Sequence, residues 1–112
     1  MSALEKKTLQ ELKGLMGDAY QSIFDAFNNS AQKCVEDLQQ AINNKDIHKI
    51  ERSSHTLKGS SANVGAMRLS KLCDLIVSKA RNSDNDGYND YFDKVMDEYN
   101  KVKTEIVELF EK

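Results

Sequence analysis

Apolar residues recur at three- and four-residue steps along most of this chain, the spacing that lines one face of an α-helix. In the stretch beginning at Asp18 they are Tyr20, Ile23, Phe24, Phe27, Ala31, Cys34, Val35, Leu38, Ala41 and Ile42. Asn43-Asn44-Lys45 ends that stripe, and Asp46 is placed to cap the next helix. A second stripe, Ile47, Ile50, Ser54, Leu57, Ser61 and Val64, is thin and partly serine, which predicts close approach of a neighbouring helix; Gly65 interrupts it. A third comprises Met67, Leu69, Leu72, Cys73, Ile76, Val77 and Ala80, and the loop-forming run Asn82-Ser83-Asp84-Asn85-Asp86-Gly87 follows. The last runs near-heptad through Phe92, Val95, Met96, Tyr99, Val102, Ile106, Leu109 and Phe110. Ahead of them all, Leu4, Leu9, Leu12, Leu15 and Met16 predict a brief helix broken by Gly14 and Gly17.

Four amphipathic helices with short connections predict an all-α fold, an antiparallel up-down four-helix bundle with a short extra N-terminal helix. The bundle helices are expected at about residues 18–43, 46–64, 67–82 and 88–111 of a single domain spanning 1–112. Composition agrees: there is no proline to break a helix, and β-branched residues never form an alternating run. The net charge of −2 is interspersed rather than gathered into a basic stripe, which argues against nucleic acid as a partner. No apolar stretch approaches the ~18 residues of a membrane span, and the charged N-terminus lacks the apolar core of a signal peptide. A cytoplasmic location and a monomeric bundle are therefore expected. Cys34 and Cys73 sit in apolar stripes, as buried free thiols do, not in a paired-cysteine motif. Asn28-Asn29-Ser30 matches a glycosylation acceptor, which has no meaning without secretion.

The chemistry lies on the second helix, in Ser53-Ser54-His55-Thr56-Leu57-Lys58-Gly59-Ser60-Ser61-Ala62-Asn63-Val64-Gly65-Ala66. At 3.6 residues per turn, His55 falls roughly 130° from the centre of the apolar stripe, so its imidazole should reach solvent. Glu51 and Arg52 lie one turn before it, Lys58 and Gly59 one turn after. An imidazole, with an ordinary pKa of about 6.5, is a competent nucleophile at cellular pH. A phosphoryl group on it would be partly neutralised by Lys58. Gly59 costs about 1 kcal/mol in a helix interior relative to alanine, so its presence asks for a reason, and access for another protein's active site is one.

This stretch, His-Thr-Leu-Lys-Gly-Ser-Ser-Ala-Asn-Val-Gly-Ala, resembles the signature of the histidine phosphotransfer (HPt) domain family, and Leu69, Leu72 and Cys73 extend the match. The resemblance implies that His55 accepts the phosphoryl group through Nε2, that Lys58 assists electrostatically and that Gly59 keeps the face open. It implies a phosphocarrier without autonomous kinase activity, relaying between aspartates of receiver domains in a multistep two-component phosphorelay. The partners would be receiver domains of a hybrid sensor histidine kinase and of response regulators. No cofactor is expected on this chain; Mg²⁺ would belong to the receiver. Lys49, Arg52, Thr56, Ser60 and Asn63 are expected on the docking surface, with Lys49 and Ser60 furthest round the helix from His55. The chain departs from the family pattern in two places. Ser54 stands where a small alanine is usual, and Leu75-Ile76-Val77 where a polar side chain often assists from the third helix. Lys79 or Arg81 is the expected substitute.

Plainer readings compete at several of these positions. A lone exposed histidine is usually just solvated, and a degenerate adaptor of the same fold would bind receivers without carrying phosphate; His55 with Lys58 favours the carrier. His48 lies two turns, about 10.5 Å, before His55, too far for both to ligate one metal without distortion. Asn82, Asp84, Asp86, Asp90 and Asp93 fall at ligand positions of a calcium-binding loop, with Gly87 near its turn. The first and last ligands are atypical, and an acidic turn leading into the next helix accounts for the same residues. No metal site is expected.

Overall fold

The computed structural model describes Leu4, Gly14 and residues 20–110, without the side chains of Tyr20, Leu109 and Phe110. Four helices follow in order: α1 Tyr20–Asn43, α2 Ile47–Asn63, α3 Met67–Arg81 and α4 Tyr88–Phe110. No strand occurs among the described residues. The brief N-terminal helix expected from the sequence lies, Leu4 and Gly14 apart, outside the described residues. Expected boundaries shorten by a residue or so where flanking positions act as caps. Asp46 is the N-cap of α2, its carboxylate accepting from the Lys49 amide at 3.2 Å, and Val64 and Asn82 are the C-caps of α2 and α3.

Three of the helices end in the same way. After α2, the Gly65 amide donates to the Ala62 carbonyl and the Ala66 amide to Ser61, with Gly65 at φ +80°. This is the Schellman arrangement, which satisfies carbonyls the helix leaves open. After α1 and α3 the same hydrogen bonds form, but the left-handed position is held by Lys45 (φ +55°) and Ser83 (φ +57°). A side chain there crowds the backbone, and glycine does not.

Each helix packs on its neighbours around a ring, α1 on α2, α2 on α3, α3 on α4 and α4 on α1; the diagonal pairs bring no Cα atoms within 8 Å. Short connections joining ring neighbours make the bundle antiparallel, up-down-up-down. Its core is built from Phe24, Phe27, Ala31 and Leu38 of α1, Ile50 and Leu57 of α2, Leu69, Cys73 and Ile76 of α3, and Phe92, Val95, Tyr99 and Val102 of α4. Leu4 joins that core, and its amide donates to Glu105 of α4. Glu98 of α4 is buried and faces Arg68 of α3, with Nε 3.6 Å from Oε2.

The closest pairing is α2 with α3, and the serines explain it. Ser54 and Ser61 are fully buried, and each hydroxyl donates to a carbonyl one turn back in its own helix, Ile50 at 2.6 Å and Leu57 at 2.7 Å. Thus a small polar residue fills the seam without an unmet hydrogen bond. Across the seam, the Ser70 hydroxyl of α3 donates to the Lys58 carbonyl of α2 at 3.0 Å. That contact fixes α3 against the turn of α2 that follows His55.

Cys34 and Cys73 are buried free thiols on diagonal helices. Their Cα atoms are more than 8 Å apart, beyond disulfide reach without backbone movement. Burial, with a smaller contribution from the Cys34 charge, pushes the Cys73 thiol up to about 12.

Candidate functional site

His55 stands on the outer ridge of α2, exposed, and among the described residues no hydrogen bond or ion pair engages its ring. Its neighbours Ser54 and Leu57 turn inward and are completely buried, so the backbone beneath the imidazole is held on both sides by the core. The position inferred from helical periodicity and the position in the fold coincide. Gly59 is also exposed, and a Cβ built there would meet nothing within 4 Å. Its lack of a side chain is therefore not a packing requirement of this chain.

On the α3 side of the ridge, His48, Glu51, Arg52, His55 and Arg81 line an open cleft of about 260 Å³. Arg81 enters it from the last turn of α3, its Nε 2.7 Å from Glu51 Oε1. Lys58, one turn beyond His55, reaches across the seam to Asp74, Nζ to Oδ1 at 2.8 Å. Hydrogen bonding and the charge of Lys58 hold the Asp74 carboxyl below the usual carboxylate range. On the α1 side, Ile23, Ala26, Phe27, Ser30, Ser60, Asn63 and Val64 line a second groove of about 280 Å³. There the Ser30 and Ser60 hydroxyls lie 3.4 Å apart. His55 thus sits on a ridge between a charged cleft and a predominantly apolar groove.

Three of the five residues expected on the docking face divide between these two sides. Arg52 lies in the cleft with His55, whereas Ser60 and Asn63 lie in the groove. Thr56 is exposed, its hydroxyl donating to the Arg52 carbonyl, and Lys49 is exposed in the first turn of α2, outside both depressions. Of the two basic residues expected to replace a polar helper, Arg81 joins His55 in the cleft and Lys79 does not. Lys79 points to the following loop, bonded to the Asp84 carboxylate and lying over the Tyr88 ring at 5.4 Å. Val77, where the helper was sought, is a core residue with 1% of its surface exposed.

Sequence reading missed Asp74. It is the sole acid of α3, set between Cys73 and Leu75, and that isolation was the available signal. Its pairing with Lys58 depends on the register of two helices, which no local pattern displays. The loop resembling a calcium site is organised by other bonds. Asp84 is taken by Lys79 and the Asp86 amide, and the Tyr88 hydroxyl donates to the Asp84 carbonyl. Among the described residues no three His, Cys, Asp or Glu side chains are grouped to hold a metal ion.

An antiparallel bundle whose exposed His55 stands unengaged on a helix ridge, with cations nearby, defines a class of protein that presents an imidazole at its surface. Comparison with known proteins places the chain within that class. Residues 22–109 match the family described as Hpt domain, and the chain belongs to that family. Over 55 residues, 49% of the chain, it is 38% identical to multistep phosphorelay regulator 1 of Schizosaccharomyces pombe. The chain spans 19% of that relative's length. Its fold is that of histidine-containing phosphotransfer protein B from Pseudomonas aeruginosa PAO1, with a TM-score of 0.91, 23% identity, and coverage of 95% of this chain and 92% of the other. No helix among the described residues is long and apolar enough to cross a membrane.

Proposed function

We propose that the chain carries a phosphoryl group on His55 between receiver-domain aspartates of a multistep phosphorelay. The observation that carries this is the exposed, unengaged imidazole on a core-anchored ridge, inside the segment matching the Hpt family. In the step, the Nε2 lone pair attacks the phosphorus of a receiver phosphoaspartate. An N–P bond forms as the P–O bond to the carboxylate breaks, and the carboxylate leaves with the electron pair. The proton on Nδ1 stays on the ring, from which solvent can take it. Transfer onward to a second receiver is the reverse reaction.

Catalysis on this side is positioning: the core holds the nucleophile in place and leaves an approach to it. Lys58 and Arg81 would meet the phosphoryl oxygens as charge-assisted donors, and Gly59 leaves room for the receiver's active site. Mg²⁺ would be held by the receiver. Arg52, Thr56, Asn63 and Ser60 would form the contact surface with the groove walls, and Lys49 its periphery. The partners that fit are receivers of a hybrid sensor histidine kinase and of response regulators, met in the cytoplasm by a monomer acting as phosphocarrier, not kinase.

The test incubates the chain with phosphorylated receivers and follows labelled phosphate. Acid-labile, base-stable label on wild type and none on His55→Ala is the expected result. Absence of label from every receiver of the host would leave a receiver-binding adaptor in its place.

A further inference from the structure

Two cations near His55 are suited to a phosphoryl group, and each already has a carboxylate. Lys58 is paired with Asp74 at 2.8 Å and Arg81 with Glu51 at 2.7 Å. The pairs cross the α2–α3 seam in opposite senses. One cation and one acid come from each helix, with Glu51 a turn before His55 and Lys58 a turn after it. The remaining basic groups of the cleft, His48 and Arg52, have no carboxylate partner among the described residues. The two cations held back are thus opposed by acids chosen from outside their own helices.

All four side chains keep between a third and three-fifths of their surface in solvent, so each pair can open without disturbing the core. Ion pairs of this exposure are weak. A phosphoryl group, near two negative charges with three acceptor oxygens, competes for the same cations.

We infer that Asp74 and Glu51 are positioning residues that set how strongly His55 holds a phosphoryl group, by retaining Lys58 and Arg81 in the unphosphorylated chain and yielding them on phosphorylation. Breaking the pairs opposes arrival of the group, and re-forming them favours its departure. Because the acids bind the cations in only one of the two states, they shift the balance between those states by their differential interaction alone. A carrier with free cations would hold its cargo more tightly and release it less readily.

The inference rests on His55 as the phosphoryl carrier, and the test separates the two. Wild type, Asp74→Asn, Glu51→Gln, the double variant and Asp74→Glu are brought to equilibrium with phosphoramidate and ammonia, and phosphohistidine is quantified by ³¹P NMR. The P–N bond of phosphoramidate breaks and ammonia leaves as the Nε2–P bond forms, so no receiver-docking effect enters. Each neutralising variant should hold about two- to fivefold more phosphohistidine at equilibrium. The double variant should show roughly the product of the two effects, about four- to 25-fold. Asp74→Glu should stay at the wild-type value, and the gains should shrink in high salt. Circular dichroism and thermal melts establish that each variant is folded under the conditions of the measurement, so that an increase is read on folded protein. Unchanged or decreased phosphohistidine in both single variants, with wild type phosphorylated on His55, would overturn the inference alone. Failure of wild type to be phosphorylated on His55 from either phosphoramidate or receivers would overturn the carrier reading and this inference with it.

Discussion

Replacing Gly59 should make the protein more stable and less able to exchange phosphate with a receiver, two effects of opposite sign from one position. Gly59 lies in the interior of α2, exposed, and the space where a Cβ would sit is empty to 4 Å. Alanine therefore gains the full helix-propensity difference, about 0.5–1 kcal/mol, with no packing penalty to set against it. For a domain of this size that raises Tm by about 2–4 °C. A long unbranched side chain, Gly59→Met, keeps most of the propensity gain but rises beside His55 into the space a receiver's active site must occupy. Misplacing reacting groups by about 1 Å is enough to slow a transfer ~10²-fold. Thermal melts and rapid-quench transfer from a phosphorylated receiver measure the two effects. Phosphoramidate, small enough to pass the new side chain, should phosphorylate Gly59→Met at the wild-type rate. Wild-type receiver transfer by Gly59→Met would refute the access argument, and a Gly59→Ala melt no higher than wild type would refute the structural one.

Three further outcomes follow from the same structure. Lys45→Gly and Ser83→Gly should each raise stability by about 0.5–1 kcal/mol in urea unfolding, since both residues hold left-handed backbone at helix ends; Gly at a right-handed exposed site such as Lys49 should lower it. Ser61→Ala should change stability by less than about 1 kcal/mol because the hydroxyl bonds only within its own helix, whereas Ser61→Leu should overpack the α2–α3 seam and cost about 1–3 kcal/mol. With the Cys73 thiol raised to about 12 in the fold, the folded state retains a proton that the unfolded chain loses above its ordinary thiol value. Its stabilising effect is thus complete below about pH 8.5 and declines between there and pH 12, by up to about 1.4 kcal/mol per pH unit. Urea unfolding at pH 8 and pH 10.5 should show a smaller alkaline loss in Cys73→Ser than in wild type; equal losses would contradict the burial argument.

Much of this protein was written in local spacing. The four amphipathic stripes, the Asp46 cap, the Gly65 stop and the orientation of His55 away from the core all depend on the period of a single helix, and the fold reproduces them. The small residues Ser54 and Ser61 likewise announced a close helix contact before the partner helix was known. What the tertiary structure alone decided is which charges meet. Lys58 and Asp74 are 16 residues apart and Glu51 and Arg81 are 30 apart. Their pairing depends on how far α3 is rotated and slid along α2, quantities set by the whole core and by contacts such as Ser70 with the Lys58 carbonyl. The placement of Lys79 and Arg81 was decided the same way: they are two residues apart on one helix, about 200° around its axis, and only packing turned one toward the cleft that His55 lines and the other toward the Asp84 loop. A helix's own period reveals which side faces the core, but not which side chain of a neighbouring helix will stand opposite.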